Sequence, residues 1–261
     1  MKEVNSYGWK AVIGSSIGYA MDGFDLLILG FMLTLISGDL GLTTGQAGSL
    51  VTWTLVGAVI GGFIFGTLSD KFGRVRVLTW TIVLFAVFTG LCAFAQGYWD
   101  LLIYRTIAGI GLGGEFGIGM ALAAEAWPAQ HRAKATSYVA IGWQLGVLAA
   151  ALLTPVLLPY IGWRGMFMVG IIPAFVAWFF RAKLHEPEIF VQSKETKEHS
   201  HTNSFKLLVK DVRTTKTSIG VAILTSVQNF GYYGIMIWLP NFLSKQLGFS
   251  LTKSGLWTAV T

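Results

Sequence analysis

The sequence predicts an all-α polytopic membrane protein, and three observations carry that reading. Hydrophobic residues make up 54% of the chain and charged residues 12%, against roughly 25% charged in soluble domains. The apolar residues fall in blocks of the length, about 20 residues, that crosses a bilayer as a helix. The bases cluster in alternate connections between those blocks, so the net charge of +6 reads as membrane orientation rather than nucleic-acid binding. Cys92 is the single cysteine and lies in an apolar run, so neither an internal disulfide nor a cysteine metal site is expected.

The blocks run over about 10–36, 47–69, 77–96, 100–124, 135–159, 163–182 and 217–243. The first is too long for a signal-peptide core and is followed by no small-residue cleavage site, so it reads as a retained span. An eighth begins near Leu251 and is cut off at Thr261. Residues 184–216 hold Glu195, Lys197, Glu198, His199 and His201 and read as a solvated linker. Within it, Phe205–Val209 is expected to form a short amphipathic helix on the membrane surface. The organisation is thus 1–183 as a six-helix bundle, 184–216 as a linker and 217–261 as the start of a second bundle. Fifteen bases (Lys2, Lys10, Lys71, Arg74, Arg76, Arg132, Lys134 and eight more between Arg181 and Lys216) fall on one side. Only Arg164, Lys245 and Lys253 fall on the other. The positive-inside rule makes the N-terminus and the linker cytoplasmic.

The first six helices carry a faint internal repeat. Gly18-x3-Asp22-Gly23-Phe24 in helix 1 is echoed by Gly111-x3-Glu115-Phe116 in helix 4, and Gly73-Arg74 by Gly162-Trp163-Arg164. Both echoes share an offset of about 90 residues. Three helices is an odd number, so the second copy is inverted in the membrane, the three-plus-three pattern of six-helix membrane halves.

Charges inside the spans are costly and face a protein interior or a water-filled cavity. Helix 1 holds Asp22 and Asp25, three residues apart and so on one face. Helix 4 holds Arg105 and Glu115. A rise of about 1.5 Å per residue puts Asp25 about 20 Å from the cytoplasmic end of helix 1 and Arg105 about 8 Å inside the outer end of helix 4. In a core of about 30 Å the two lie at similar depth, with Asp22 nearer the midplane and Glu115 in the cytoplasmic half. Burial disfavours a charged carboxylate and a nearby Arg favours it. Making or breaking an Asp–Arg contact then loads or releases a proton. The alternative is a structural ion pair that merely holds helices 1 and 4 together.

The link Gly66-Thr67-Leu68-Ser69-Asp70-Lys71-Phe72-Gly73-Arg74-Val75-Arg76 matches every fixed position of Gly-x-Leu-x-Asp-Arg/Lys-x-Gly-Arg-x-Arg/Lys. It closely resembles the helix 2–3 loop motif of the major facilitator superfamily. Asp22-Gly23-Phe24-Asp25 resembles the helix 1 motif of that superfamily's acid:proton symporters, among them aromatic-acid and sialate/lactate carriers. Arg105-x3-Gly109-x-Gly111-x-Gly113-Gly114-Glu115, Glu125-Ala126-Trp127-Pro128 through His131-Arg132-x-Lys134-Ala135, Gly162-Trp163-Arg164 and Pro187-Glu188 continue the pattern. The resemblance implies the N-terminal part of a twelve-helix, monomeric secondary transporter that does not transport as a fragment. It implies that Asp22, Asp25, Arg105 and Glu115 carry proton coupling or bind a substrate anion. It also implies that Gly66, Asp70, Gly73, Arg74 and Glu125 form a cytoplasmic gate that docks against the second half. A plain positive-inside anchor explains Lys71 and Arg76 but not Asp70.

Glycines in Gly57-x3-Gly61-Gly62-x3-Gly66, Gly109–Gly119 and Gly142-x3-Gly146 let helices approach closely. Gln144 in helix 5, and Gln228, Asn229, Tyr232 and Tyr233 in helix 7, are polar groups in mid-span and candidates to line a substrate cavity. Interhelical hydrogen bonding is the alternative. Trp9, Trp99, Trp127, Trp163 and Trp238 lie near span ends as interfacial anchors. The histidines fall in loops and suggest no metal site. No nucleophile–base pair, metal cluster or phosphate loop points to an enzyme. The expected function is proton-coupled uptake of a small organic acid by alternating access in the cell membrane, with no cofactor and the proton gradient as energy source. Sugar or polyol uptake is the alternative. Drug:proton antiport is disfavoured because helix 5 lacks the Gly-Pro pair of such antiporters.

Overall fold

The computed structural model describes residues 6–181, 184–187, 190–191 and 209–248. The regular elements among them are helical: α1 (Ser6–Leu40), α2 (Thr44–Phe72), α3 (Arg74–Cys92), α4 (Tyr98–Glu125), a 3₁₀ turn (Ala129–His131), α5 (Arg132–Val169), α6 (Ile171–Arg181) and α7 (Val212–Leu247). The eighth helix expected from Leu251, and the surface helix at Phe205–Val209 apart from Val209 itself, lie outside the described residues.

Local chemistry sets the ends. Thr43 and Gln46 form a reciprocal capping box that starts α2. Gly73 separates α2 from α3 at φ 109°, a conformation that strains any residue with a Cβ. Gly162, at φ 63°, breaks α5 into two legs, 132–161 and 163–169, and the second leg continues past Gly170 into α6. Asp211 caps α7 through the Thr214 N–H, so this helix begins earlier than the apolar run near 217.

By length and apolarity, α1 to α4 and the broken run Ala129–Phe179 qualify as membrane spans. Among the described residues α7 does not, and its sequence holds Gln228 and Asn229 in place of apolar residues. Inside a bilayer a helix satisfies its own backbone groups, so these segments need no sheet.

Helix α1 is central, with every residue from Met21 to Leu33 buried. Two close helix pairs build the bundle, one of them including α1. In one, Gly57 and Gly61 of α2 lie on Thr106 and Ile110 of α4, while Gly109 and Gly113 of α4 lie on Thr54 and Ala58 of α2. In the other, Gly142 and Gly146 of α5 lie on Ser16 and Ala20 of α1. In both pairs the numbers rise together, so the paired helices run parallel. A Cβ at these glycines would collide with the facing backbone. Without a hydrophobic drive between helices in lipid, such close backbone contact holds a bundle together. The second leg of α5 runs back down: Trp163 meets Asp39, and Gly170 meets Thr89 and Ile28. The pair α2–α4 and the pair α5–α1 exchange under an inverted repeat that maps helices 1–3 onto 4–6. Large apolar side chains such as Val59, Phe63, Leu152 and Phe175 face outward, where lipid takes the place of water.

Candidate functional site

The buried ion pair anticipated from the spacing is formed. Arg105 donates from Nη1 to Asp25 Oδ1 at 3.0 Å and from Nη2 to Asp25 Oδ2 at 2.7 Å. The two side chains are 0% and 1% exposed. Phe167, on the second leg of α5, lies over the guanidinium at 5.8 Å, and the buried thiol of Cys92 sits beside the pair. A fork-to-fork pair in this setting is stable only as a pair, because either charge alone would be stranded without water.

Asp22, one turn closer to the Arg74 end, is 1% exposed and does not share that pair. It lines a cavity of about 800 Å³ between the bundle and α7, together with Tyr19, Phe116, Trp143, Asn229 and Tyr233. The walls are aromatic: Tyr19 stands 5.0 Å from Phe116 and 5.1 Å from Trp143, and Trp143 stands 6.1 Å from Tyr233. Trp143 Nε1 donates to Tyr232 Oη at 2.7 Å, joining α5 to α7. Asn229 donates to Thr225 O of its own helix at 2.9 Å. Among the described lining residues there is no Lys, Arg or His.

Other expected cavity residues stand elsewhere. Gln144 and Gln228 are exposed and do not line this cavity, since one residue along a helix turns a side chain by about 100° from Trp143 or Asn229. Glu115 does not join Asp22 and Asp25. It faces α3, where Thr81 Oγ1 lies 2.6 Å from its carboxylate. Tyr19, Phe116 and Trp143 were not singled out from the sequence. Tyr19 was detectable as the residue three before Asp22, on the same helix face.

At one end of the bundle the loop motif builds a charge network. Arg74 Nη1 donates to Asp70 Oδ1 at 2.6 Å and to Ser69 Oγ at 2.7 Å, and Nη2 donates to Glu125 Oε1 at 3.1 Å. Burial works against the Arg74 charge, but hydrogen bonds and attraction from Glu125 and Asp70 outweigh it and raise its pKa. The Glu186 carboxylate accepts the N–H groups of Arg74, Val75 and Arg76 at 2.7, 3.3 and 3.1 Å, capping the start of α3. Gly73 lies directly under that carboxylate, where a Cβ would strike it. Tyr7 Oη donates to the neighbouring His185 carbonyl at 2.6 Å, and burial with Glu186 and Glu125 pushes its pKa up to about 12. Glu186 escaped the sequence reading, and Glu188 lies outside the described residues. Gly66 meets no neighbour and opens on a groove of about 450 Å³ that also touches Asp70 and Arg74.

The opposite end carries a counterpart. Arg164 Nη1 donates to Asp39 Oδ2 at 2.5 Å, Trp163 Nε1 donates to the same oxygen at 3.1 Å, and Arg164 Nη2 reaches Ala95 O at 3.3 Å. Hydrogen bonds from Arg164 and then Trp163 hold the Asp39 carboxyl below its ordinary range. Arg74 and Arg164 begin corresponding helices of the two repeats, and each bonds an acid at the end of the helix that starts the other repeat.

These features define a class: a polytopic membrane protein whose inverted-repeat bundle encloses an ion pair and opens on a cavity. The chain belongs to the Major Facilitator Superfamily, whose family profile matches residues 15–261. A protein of Haemophilus influenzae named for metabolite transport is 78% identical over 264 residues, covering 99% of this chain and 65% of its own length. The cis,cis-muconate transport protein of Acinetobacter baylyi is 33% identical over 250 residues, covering 94% of this chain and 60% of its own length. The chain therefore spans less than two thirds of either relative. The crystal structure of a D-xylose-proton symporter superposes with a TM-score of 0.77 at 23% identity, over 98% of this chain and 66% of the other. That likeness concerns the fold. The family is one of membrane transporters rather than enzymes, and the chain is an integral membrane protein.

Proposed function

We propose that this chain forms the proton-coupling half of a carrier that takes up small organic acids by alternating access. The observation that carries the proposal is the bidentate, fully buried Asp25–Arg105 pair one helical turn from a cavity whose lining acid is Asp22. A carboxylate substrate approaching an ionised Asp22 meets like charge. A proton on Asp22 turns that repulsion into a charge-assisted O–H···O⁻ hydrogen bond. One proton then accompanies one carboxylate. Asp25 and Arg105 hold the second element: passage of that same proton from Asp22 to Asp25 loosens the pair, and Arg105 recaptures the carboxylate when the proton leaves. The aromatic walls suit an apolar body behind the carboxylate. The muconate-carrying relative supports the acid reading.

The proposed setting is the plasma or inner membrane, with the Arg74 end cytoplasmic by the positive-inside rule. The network of Asp70, Arg74 and Glu125 is proposed to gate that side by docking on the second half in one state and parting from it in the other. The test is uptake of radiolabelled benzoate and cis,cis-muconate into proteoliposomes of the full-length protein under an imposed pH gradient. Asp22→Asn and Asp25→Asn are expected to abolish gradient-driven accumulation while sparing exchange. Full gradient-driven uptake in both variants sinks the coupling role.

A further inference from the structure

The Asp39–Arg164 contact is the end of a continuous stack that reaches the buried pair. Arg164 lies over the Trp163 ring at 4.1 Å. Trp163 meets Phe167 edge-on at 6.0 Å, and Phe167 covers the Arg105 guanidinium at 5.8 Å. Exposure falls along this stack from 46% at the Arg164 side chain to 5% at Trp163 and 0% at Phe167. On the second leg of α5, Arg164 adjoins Trp163, and Phe167 follows Trp163 by one helical turn. The bonds that fix this leg at its exposed end are those from Arg164 and Trp163 to Asp39 and from Arg164 to Ala95 O.

We infer that Asp39 is a positioning residue of the outer proton gate: by holding Arg164 and Trp163 it keeps Phe167 seated over Asp25–Arg105 and closes that pair to external water. The inference rests on the proton-coupled reading and orientation proposed above. When the clamp parts, the leg tilts, Phe167 lifts and water reaches Asp25, whose charged or thiol neighbours are Arg105 on α4, Cys92 at the end of α3 and Asp22 on its own helix. The clamp joins the ends of α1, the α3–α4 connection and the second leg of α5. Arg164 thus ties three segments together, through separate bonds to Asp39 and Ala95.

Cys92 offers a reporter, because it is buried beside the pair and under the same roof. The experiment treats intact cells expressing the full-length protein with a small membrane-impermeant methanethiosulfonate, the Cys92→Ala signal being subtracted. Wild-type Cys92 is expected to stay protected. Asp39→Asn and Arg164→Gln are expected to label about fivefold faster, the scale set by losing an exposed ion pair that gates a local opening. Asp39→Glu restores protection. Phe167→Ala, with the clamp intact, labels faster by about tenfold because the roof itself is gone. The rise must appear with reagent outside cells and not with reagent added to the medium around inverted vesicles, which present the cytoplasmic face. A general loosening of the fold raises both, and an equal rise from both faces overturns the inference. So does a wild-type labelling rate in either Asp39→Asn or Phe167→Ala. Gradient-driven uptake persisting in Asp25→Asn would count against the coupling proposal alone, since labelling depends neither on cargo nor on coupling.

Discussion

Asp25 and Arg105 neutralise each other where water is absent, so each is costly without the other. Truncating one partner of such a pair costs about 3–5 kcal/mol, whereas replacing both costs far less. Arg105→Leu is therefore expected to lower the melting temperature in detergent more than the Asp25→Leu, Arg105→Leu double variant does. Additive losses in a double-mutant cycle would refute the pairing. Asp39 behaves differently, since it is exposed and its carboxyl is held below the ordinary value of 3.8. A depressed carboxyl adds stability above its unfolded value and loses it as pH falls through the folded one. The clamp is thus at full strength at neutral pH and releases only in strong acid, so Cys92 labelling from outside, normalised to the thiolate fraction at each pH, should be flat from pH 8 down to about 5. A rise within that window would contradict this. The legibility of these residues follows the same physics. A charge in mid-span stands out against apolar neighbours, and helical rise alone placed Asp25 level with Arg105. Asp39 sits at a helix end and Glu186 in the non-helical stretch 184–187, where charges are ordinary, and only folding shows which N–H groups they face. Trp143 read as one more aromatic in an apolar run because its partner Tyr232 is on a distant helix.

The glycines of the helices divide into those with a backbone against them and those without. Gly146 lies on the Ala20 backbone, while Gly66 has open space. Gly146→Val should overpack the α1–α5 contact and cost about 1–3 kcal/mol, whereas Gly66→Ala should leave bundle stability unchanged. Thermal unfolding of the two variants tests the contrast, and equal losses would show that the contacts are misassigned. The cap on α3 is a second test. Glu186→Ala removes the acceptor of three N–H groups and should cost about 1 kcal/mol. Hydrogen exchange at Arg74 to Arg76 would report that loss locally, and unchanged protection would exclude the cap. The span boundaries were legible because apolar blocks and lipid share one length scale. Which helix faces which was less so: in lipid it depends on small residues meeting backbone, and a glycine's sequence position does not reveal what it faces. The exposure of Gln144 has the same cause, since a helix turn decides whether a polar residue meets the cavity or the opposite side.

At the scale of the molecule, the bundle is one packed body with charge clamps at both ends and a cavity on the side facing α7. The repeat relates the clamps, so the two ends use the same device: an Arg after a positive-φ glycine, bonded to an acid that ends a helix of the other repeat. The faint 90-residue echo in the sequence recorded the Arg and Gly of this device but not Asp39, its acid. On the proposed gate role, weakening the Arg74 network should shift the full-length protein between its two proposed states. Asp70→Asn is expected to raise labelling of a Thr67→Cys probe from the cytoplasmic face severalfold, and an unchanged rate would remove Asp70 from the gate. The fold was readable at this scale because span count, charge asymmetry and the loop motif agreed.

The cavity draws its walls from α1, α2, α4, α5 and α7, and among its described lining residues none comes from α3 or α6. Asp25 and Arg105, meanwhile, lie outside that lining and are roofed from the second leg of α5. The cavity and the buried pair therefore meet at Asp22, which lines the one and stands a helical turn from the other. On the proposed function, substitutions at Val51, Leu55 or Phe230 that leave Asp22 in place would reshape the cavity for a new cargo while keeping the groups that couple it to the gradient.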